Sequence, residues 1–141
     1  MMSKILVPID GSQHALRALE YAITLSRALG DEIILLNIQL KMETVNVKRY
    51  FSKKEIEEYQ QQLGKEATEE ALKIVAESEI PFTNKLRIGI PKVEICKEAQ
   101  EENVRCIIMG SRGMGLVAGK FLGSVSYNVV HDATCPVTIV P

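Results

Sequence analysis

The sequence has no excess of charge of either sign. Seventeen basic side chains face eighteen acidic ones, which leaves a formal net charge of -1 over 141 residues. A protein that binds nucleic acid through its phosphates needs a basic surface, and the pattern of charge offers no obvious basic cluster. The composition therefore predicts no nucleic-acid partner.

Cysteine is scarce, and its three positions, Cys96, Cys106 and Cys135, include no close pair. This argues against a disulfide framework or a zinc site and is typical of a reducing compartment. Long apolar runs are also absent: none approaches the roughly 20 residues that cross a bilayer. The short run after Lys4 is interrupted by Pro8, unlike a secretion signal. We therefore expect a cytoplasmic protein with no membrane partner.

Apolar runs and helical periods alternate along the chain. The runs predict buried strands at 5–9, 32–40, 82–88, 104–109 and 136–140, and the periods predict four helices at 15–29, 53–78, from 91 onward, and 124–132. Residues 41–52 show no period and are interpreted as a loop. Without a repeat or a linker, residues 1–141 are expected to form one domain.

Such alternation predicts an α/β fold with a doubly wound, five-stranded parallel sheet. For the strand order 3-2-1-4-5, the first and fourth strands are neighbours where the order reverses, and ligands bind at that point in open parallel sheets. The loops that follow these two strands, Pro8–Ser12 and Gly110–Ser124, would then face one crevice.

The second of these loops is rich in glycine, at positions 110, 113, 115, 119 and 123. Glycine lets the main chain approach a ligand closely, and N–H groups at a helix start suit an anion such as phosphate. A surface loop with no ligand is the alternative. A P-loop is excluded because Met114 stands where its first glycine belongs, and Gly113-Met-Gly115-Leu-Val-Ala118 is misplaced for a dinucleotide site.

The spacing Gly110-x2-Gly113-x9-Gly123-Ser124 resembles the ATP-binding branch of the universal stress protein family. The resemblance covers nearly the whole chain, including its opening 5–12 and its closing 133–140. It implies a fold like that of the adenine nucleotide alpha hydrolases. It also implies a nucleotide site formed by Pro8, Ile9, Asp10, Ile38, Met109, Gly110, Arg112, Gly113, Gly123, Ser124 and Val125. Family members often have histidine in place of Asn37, a position that supports packing.

This resemblance gives the site two ends. Val7, Pro8, Ile38 and Met109 offer an apolar slot for a base, and Asp10 either binds a sugar hydroxyl or only caps a helix. Gly113, Gly123 and Ser124 would lie at the ribose and phosphates. Arg112 and Lys120 either add charge there or point at solvent. The implied ligand is ATP, with AMP or ADP as alternatives, and Mg²⁺ or Mn²⁺ bound through the phosphates.

Machinery for catalysis is not evident. His14 can approach the crevice or face solvent, His131 is expected to point away, and Ser12 has no clear base partner. The prediction is a cytosolic, ATP-binding sensor or regulator of a stress response, with weak ATP hydrolysis at most. The alternatives are a dimeric interaction module that binds no nucleotide and a slow ATP hydrolase. The resemblance implies a homodimer formed through the edge strand Val137–Val140.

Overall fold

The computed structural model describes residues 2–113 and 122–141, which form five strands and five helices. The strands are β1 (Lys4–Pro8), β2 (Glu32–Gln39), β3 (Phe82–Ile88), β4 (Cys106–Gly110) and β5 (Val137–Val140). The helices are α1 (Gln13–Leu29), α2 (Val45–Tyr50), α3 (Lys53–Glu77), α4 (Pro91–Glu101) and α5 (Ser124–Asp132).

The strands form one parallel sheet in the order β3-β2-β1-β4-β5, which confirms the predicted topology. Successive side chains of a strand point to opposite faces of the sheet, so a central strand contributes side chains to the apolar core on each face. Ile5 and Val7 pack with α1 and α3 on one face, whereas Leu6 packs with α4 and α5 on the other. The fold is therefore a three-layer α/β/α sandwich.

The prediction of a loop over 41–52 is wrong for six residues, because α2 occupies 45–50. The Thr44 hydroxyl accepts a hydrogen bond of 3.2 Å from the N–H of Val47 and so starts the helix. No residue of α2 is buried. A helix that buries no apolar face leaves no period in the sequence, which explains why four helices were predicted and the structure has five.

Two end signals of α1 are confirmed. The Ser12 hydroxyl accepts a hydrogen bond of 3.1 Å from the N–H of Ala15 at the start of the helix. Gly30 ends it in the left-handed conformation, with φ 73°. These caps fix α1 directly after β1, so that the turn between them reaches the carboxyl edge of the sheet.

Ion pairs fasten α4 over the outer strand β3. Glu98 is 3% exposed, and its carboxylate accepts hydrogen bonds from Lys85 at 2.7 Å and from Arg87 at 2.9 Å. A buried carboxylate is tolerated only when its charge is compensated in this way. The pairing of Arg87 with Glu94 at 3.0 Å holds the first turn of α4 as well.

The two central strands separate before they end. β1 pairs with β4 only at Ile5↔Cys106 and Leu6↔Ile107, whereas its pairing with β2 continues to Pro8↔Leu36. Proline has no N–H to donate, which is consistent with a ladder that stops before it. The carboxyl ends of β1 and β4 are therefore free to line a space between them.

In the described part of the chain, no helix combines the length and the apolar character that a membrane span requires.

Candidate functional site

A cavity opens where β1 and β4 separate, at the carboxyl edge of the sheet. Nine of the eleven residues predicted for the site line it: Pro8, Ile9, Asp10, Ile38, Met109, Gly110, Arg112, Gly113 and Val125. The other two, Gly123 and Ser124, start α5 and do not line the cavity. The strand order thus brings together residues that are a hundred positions apart in the sequence.

The walls of the cavity are mainly apolar, and some of the residues that form them were not predicted from the sequence. Leu36, Pro91 and Ile95 line it beside the predicted residues. Pro91 and Ile95 belong to α4, which closes the cavity from one side, and their sequence spacing gives no sign of this. Val7, expected in the slot, instead packs into the core under α1. The cavity measures about 140 Å³, close to the roughly 150 Å³ that accommodates one aromatic ring.

Asp10 lies at the rim and is exposed. Its Oδ1 accepts a hydrogen bond of 2.9 Å from the N–H of Ser12, so the carboxylate fixes the turn while Ser12 caps α1. Its Oδ2 faces Gly113, where a Cβ atom would stand only 2.5 Å away. A side chain at position 113 would therefore push the Asp10 carboxylate aside, and Asp10 and the start of the glycine-rich stretch form one continuous rim.

Gly110 meets the first turn of α1. A Cβ atom there would lie 2.7 Å from Cβ of His14 and 2.8 Å from its carbonyl carbon, so only glycine lets β4 pass so close to the helix. His14 is half-buried at this contact. Its pKa is lowered from 6.5 by burial, then by Arg17 and Arg112, against a smaller opposing effect of Asp10. Burial and the two guanidinium groups therefore favour the uncharged imidazole.

The glycine-rich stretch leaves and rejoins the sheet at one point. The N–H of Gly123 donates a hydrogen bond of 2.7 Å to the carbonyl of Ser111, and Ser126 Oγ donates one of 2.8 Å to the carbonyl of Gly110. Gly123 is the N-cap of α5 and supplies no side-chain acceptor. Residues 114–121, including Lys120, lie outside the described residues.

Asn37 connects the carboxyl end of β2 to the residue that follows β1. It is 3% exposed, and its side-chain amide donates a hydrogen bond of 2.7 Å to the carbonyl of Ile9. Its Oδ1 accepts one of 2.8 Å from Gln39. The sequence indicated only a packing role, yet the amide holds the residue that precedes Asp10.

Other reactive side chains lie away from this edge. His131 is exposed and contacts Asp132 at 2.9 Å. Burial raises the pKa values of all three cysteine thiols, which opposes formation of a thiolate. Within 2–113 and 122–141, no group of three or more His, Cys, Asp or Glu side chains is arranged to hold a metal ion.

Comparison with known proteins matches the whole chain to one family. The model of the universal stress protein family covers residues 1–141. Universal stress protein YxiE of Bacillus subtilis is 33% identical over 151 residues, which cover 99% of each chain. Universal stress protein MJ0577 of Methanocaldococcus jannaschii is 33% identical and covers 99% of this chain and 95% of its own.

Solved structures agree with the sequence match. That of MJ0577 superposes with a TM-score of 0.84 at 31% identity, over 99% of this chain and 96% of that one. Two more distant structures share the fold: a universal stress protein in complex with cAMP (TM-score 0.74, 21% identity, 99% and 97% covered) and one from Archaeoglobus fulgidus in complex with dAMP (TM-score 0.70, 19% identity, 100% and 98% covered). The chain described here belongs to the universal stress protein family.

Proposed function

We propose that this chain binds an adenine nucleotide, with ATP as the physiological ligand, and acts as a cytoplasmic, nucleotide-dependent regulator within a single domain of residues 1–141. The observation that carries the proposal is the cavity between β1 and β4, which joins an apolar slot to a rim formed by Asp10 and the glycine-rich stretch. The complexes of two family members with cAMP and dAMP support the same ligand class.

The slot suits a purine base. Ile38, Met109 and Ile95 line the slot with apolar side chains that can contact the faces of a base. A base in this slot would leave its sugar at the rim, where Asp10 can accept a hydrogen bond from a ribose hydroxyl. In this arrangement Pro8 and Ile9 form the wall nearest the sugar.

The phosphates would extend toward the start of α5. The first N–H groups of a helix have no partner within the helix, and Gly123 offers no side chain to cap those of Ser124 and Val125. Arg112 and Gly113 line the cavity and also lie beside Gly123 at that helix end. Such charge-assisted bonds contribute roughly 1.5–3 kcal/mol each, against association costs of about 4–15 kcal/mol. Phosphate contacts alone are therefore insufficient, and the apolar slot is required.

We further propose that Mg²⁺ or Mn²⁺ accompanies a bound triphosphate through phosphate oxygens and water, since Mg²⁺ usually keeps several waters beside substrate phosphates. Asp10 is the carboxylate of the cavity lining. Hydrolysis would require a group that positions water at the terminal phosphate. Ser12 is engaged as a helix cap, so we place slow hydrolysis last among the functions.

The second candidate is a dimeric interaction module that binds no nucleotide, and the position of β5 favours it. β5 is an outer strand of the sheet, so one of its edges is open to another strand. We propose that Val137–Val140 pairs with its own copy in a homodimer. Dimerisation is compatible with nucleotide binding, because the strand edge and the cavity are separate surfaces.

Bound-ligand analysis tests the proposal. We expect protein purified without added nucleotide, then denatured, to release about one adenine nucleotide per chain. Protein stripped of ligand should bind a fluorescent ATP analogue, with competition by ATP and none by GTP. Absence of both release and binding would leave the interaction module as the function.

A further inference from the structure

Strand β3 is an outer strand of the sheet, and no other described element pairs with its free edge. It has seven residues, against four in β5 at the opposite end of the sheet. A long open edge offers main-chain donors and acceptors to any further strand, so proteins usually cover such an edge or place free charges on it. The groups that surround β3 therefore decide whether its edge is protected.

The main-chain groups at the free edge follow from hydrogen bonds at both ends of β3. At its start, the N–H of Ile33 donates to the carbonyl of Pro81 at 2.9 Å. Just beyond its end, the N–H of Gly89 donates to the carbonyl of Gln39 at 2.9 Å. Alternate residues of a parallel strand bond to the same neighbour. The odd-numbered residues from 81 to 89 therefore face β2, and residues 82, 84, 86 and 88 turn their N–H and C=O groups to the free edge.

The two cations of β3 give its edge little protection. Lys85 and Arg87 point to the face covered by α4, where the Glu98 carboxylate contacts them at 2.7 and 2.9 Å. Glu102 is a second partner for Lys85 at 2.7 Å, and Glu94 is a second partner for Arg87 at 3.0 Å. Charge that is compensated within one chain repels a second strand less than free charge does. The strand therefore combines a long edge with little free charge.

The other face of β3 carries an unpaired amide. A groove of about 830 Å³ lies between α3 and β3, and Asn84 and Leu86 line it from the strand. Asn84 is exposed, and its side chain forms no hydrogen bond with another described residue. Phe82, on the same face, is 38% exposed. An amide both donates and accepts hydrogen bonds, so it can pair with a second amide of the same kind.

The charges of β3 select one register for a second copy, which would run antiparallel if a two-fold axis relates the two. With the axis at Lys85, the two Lys85 side chains face each other. With the axis at Leu86, Lys85 faces Arg87 of the copy. Like charges directly opposite each other are destabilising. With the axis at Asn84, Lys85 faces Thr83 of the copy, and neither cation of β3 faces another.

The axis at Asn84 also satisfies the outward groups. Asn84 then lies opposite Asn84 of the copy and Phe82 opposite Leu86, so three residues of each copy exchange main-chain hydrogen bonds. The two Asn84 amides meet, one donating and the other accepting. Phe82 packs its exposed ring on Leu86 of the copy. One register thus meets the charge, amide and apolar requirements together, which an unrelated strand would match only by chance.

We propose that β3 pairs antiparallel with β3 of a second copy, about a two-fold axis at Asn84, and so joins two five-stranded sheets edge to edge. The contact is small, so we expect it to form at about 100 µM and above and to be absent at the few micromolar of size-exclusion chromatography. It is separate from the proposed contact of β5, and both can form in one assembly. The proposal does not depend on nucleotide binding.

Cysteine cross-linking tests the register. Opposed Cα atoms of a hydrogen-bonded antiparallel pair are about 5.5 Å apart, which is within the range of a disulfide. Asn84→Cys, oxidised at about 500 µM by copper phenanthroline in air, should form a covalent dimer with its own copy. Asn46→Cys, at an exposed position of α2, and the wild type have the same native cysteines and should form little dimer on a non-reducing gel. A yield for Asn84→Cys no higher than for Asn46→Cys would overturn the proposal.

Hydrogen exchange of single amides, followed by NMR, tests the edge itself. Between about 10 and about 500 µM protein, exchange at Leu86 should slow about threefold for a dissociation constant near 100 µM, because its N–H becomes bonded. The inward amides of Lys85 and Arg87 should exchange slowly at both concentrations. Asn84→Lys places two cations on the axis, so exchange at Leu86 should stay fast, whereas Asn46→Lys should behave as the wild type. Fast exchange at Leu86 in the wild type at both concentrations, or equal slowing in Asn84→Lys, would overturn the proposal.

The same exchange measured in Ile139→Pro identifies the strand that covers β3. We expect the slowing at Leu86 to persist, because β3 of the copy is the partner. Loss of the slowing in Ile139→Pro, with no cross-link through Asn84→Cys, would show that β5 of a neighbouring chain covers this edge and would overturn the proposal.

Discussion

The side-chain amide of Asn37 holds the carbonyl of Ile9 at 2.7 Å. Asn37 lies on β2 and Ile9 directly follows β1, so the bond ties the carboxyl ends of two neighbouring strands. Because Asn37 is buried, neither group can turn to water instead. The residue next to Ile9 is Asp10, and the position of that carboxylate thus depends on a side chain in another strand.

Replacing Asn37 by leucine should lower the free energy of unfolding by about 1–3 kcal/mol, because the carbonyl of Ile9 loses its donor in a buried place. Nucleotide affinity should fall with it, since Asp10 is no longer held. Asn37→His keeps an N–H donor and should retain more of both. Urea denaturation and ATP titration measure the two quantities, and equal values for both variants would contradict the role of the bond.

Gly113→Ala should abolish nucleotide retention and leave the fold intact. The new Cβ would stand 2.5 Å from Oδ2 of Asp10, so the rim must change shape. Gly64→Ala is the matched control, because its Cβ makes ordinary van der Waals contacts, at 3.4 Å with the Leu86 side chain and 3.5 Å with Oδ1 of Asn37. Released adenine nucleotide and circular dichroism are measured for both. Retention by Gly113→Ala equal to that of the control would count against this rim.

Nucleotide affinity should increase as pH falls from 8 to 5.5. The pKa of His14 lies below 6.5 in the free protein, and a nearby phosphate would favour the protonated imidazole and raise that pKa. Binding then takes up a proton, which is why acid favours it. His14→Gln should flatten the pH dependence, whereas His131→Gln, an exposed control, should keep it. Equal slopes for the two variants in ATP titrations would exclude His14.

Glu98→Ala should destabilise the fold by roughly 1.5–3 kcal/mol, because Lys85 and Arg87 lose the buried carboxylate they share, although Lys85 keeps Glu102 and Arg87 keeps Glu94. Glu69→Ala breaks the exposed pair with Lys73 and should have almost no effect. Urea denaturation at pH 7 compares them. Similar midpoints would show that the α4 ion pairs contribute little.

Ile139→Pro should convert the proposed dimer to a monomer. The carbonyl of Pro136 accepts a hydrogen bond from Ile107 of β4, and that of Val140 accepts one from Ser111, just beyond β4. The alternate residues Val137 and Ile139 therefore turn their N–H and C=O groups to the open edge. Proline at 139 removes one of these donors, and Ile139→Val keeps it. Light scattering coupled to size exclusion gives the mass of each. A dimer that survives in Ile139→Pro uses another surface.

The sequence predicted the sheet order because apolar runs and helical periods alternate regularly and because unusual loops follow the first and fourth strands. Those same loops pointed to most of the cavity lining. Pro91 and Ile95 were missed, since they reach the cavity only through the packing of α4, which no local pattern encodes. Val7 was misplaced because side-chain alternation sends it to the opposite face of the sheet from Leu6.

Helix α2 shows a different limit of sequence analysis. An apolar period in a sequence arises where one face of a helix is buried, and no residue of α2 is buried. Exposure of Val45 and Tyr50 became visible only with the fold in place, and it is this exposure that raises the question of a partner.

The early end of pairing between β1 and β4 bears on how fast a ligand can enter. No ladder bond has to break for a flat molecule to slide between these strands, because the registered pairs stop at Leu6↔Ile107. Entry should then be limited by diffusion and should not require local unfolding of the central strands.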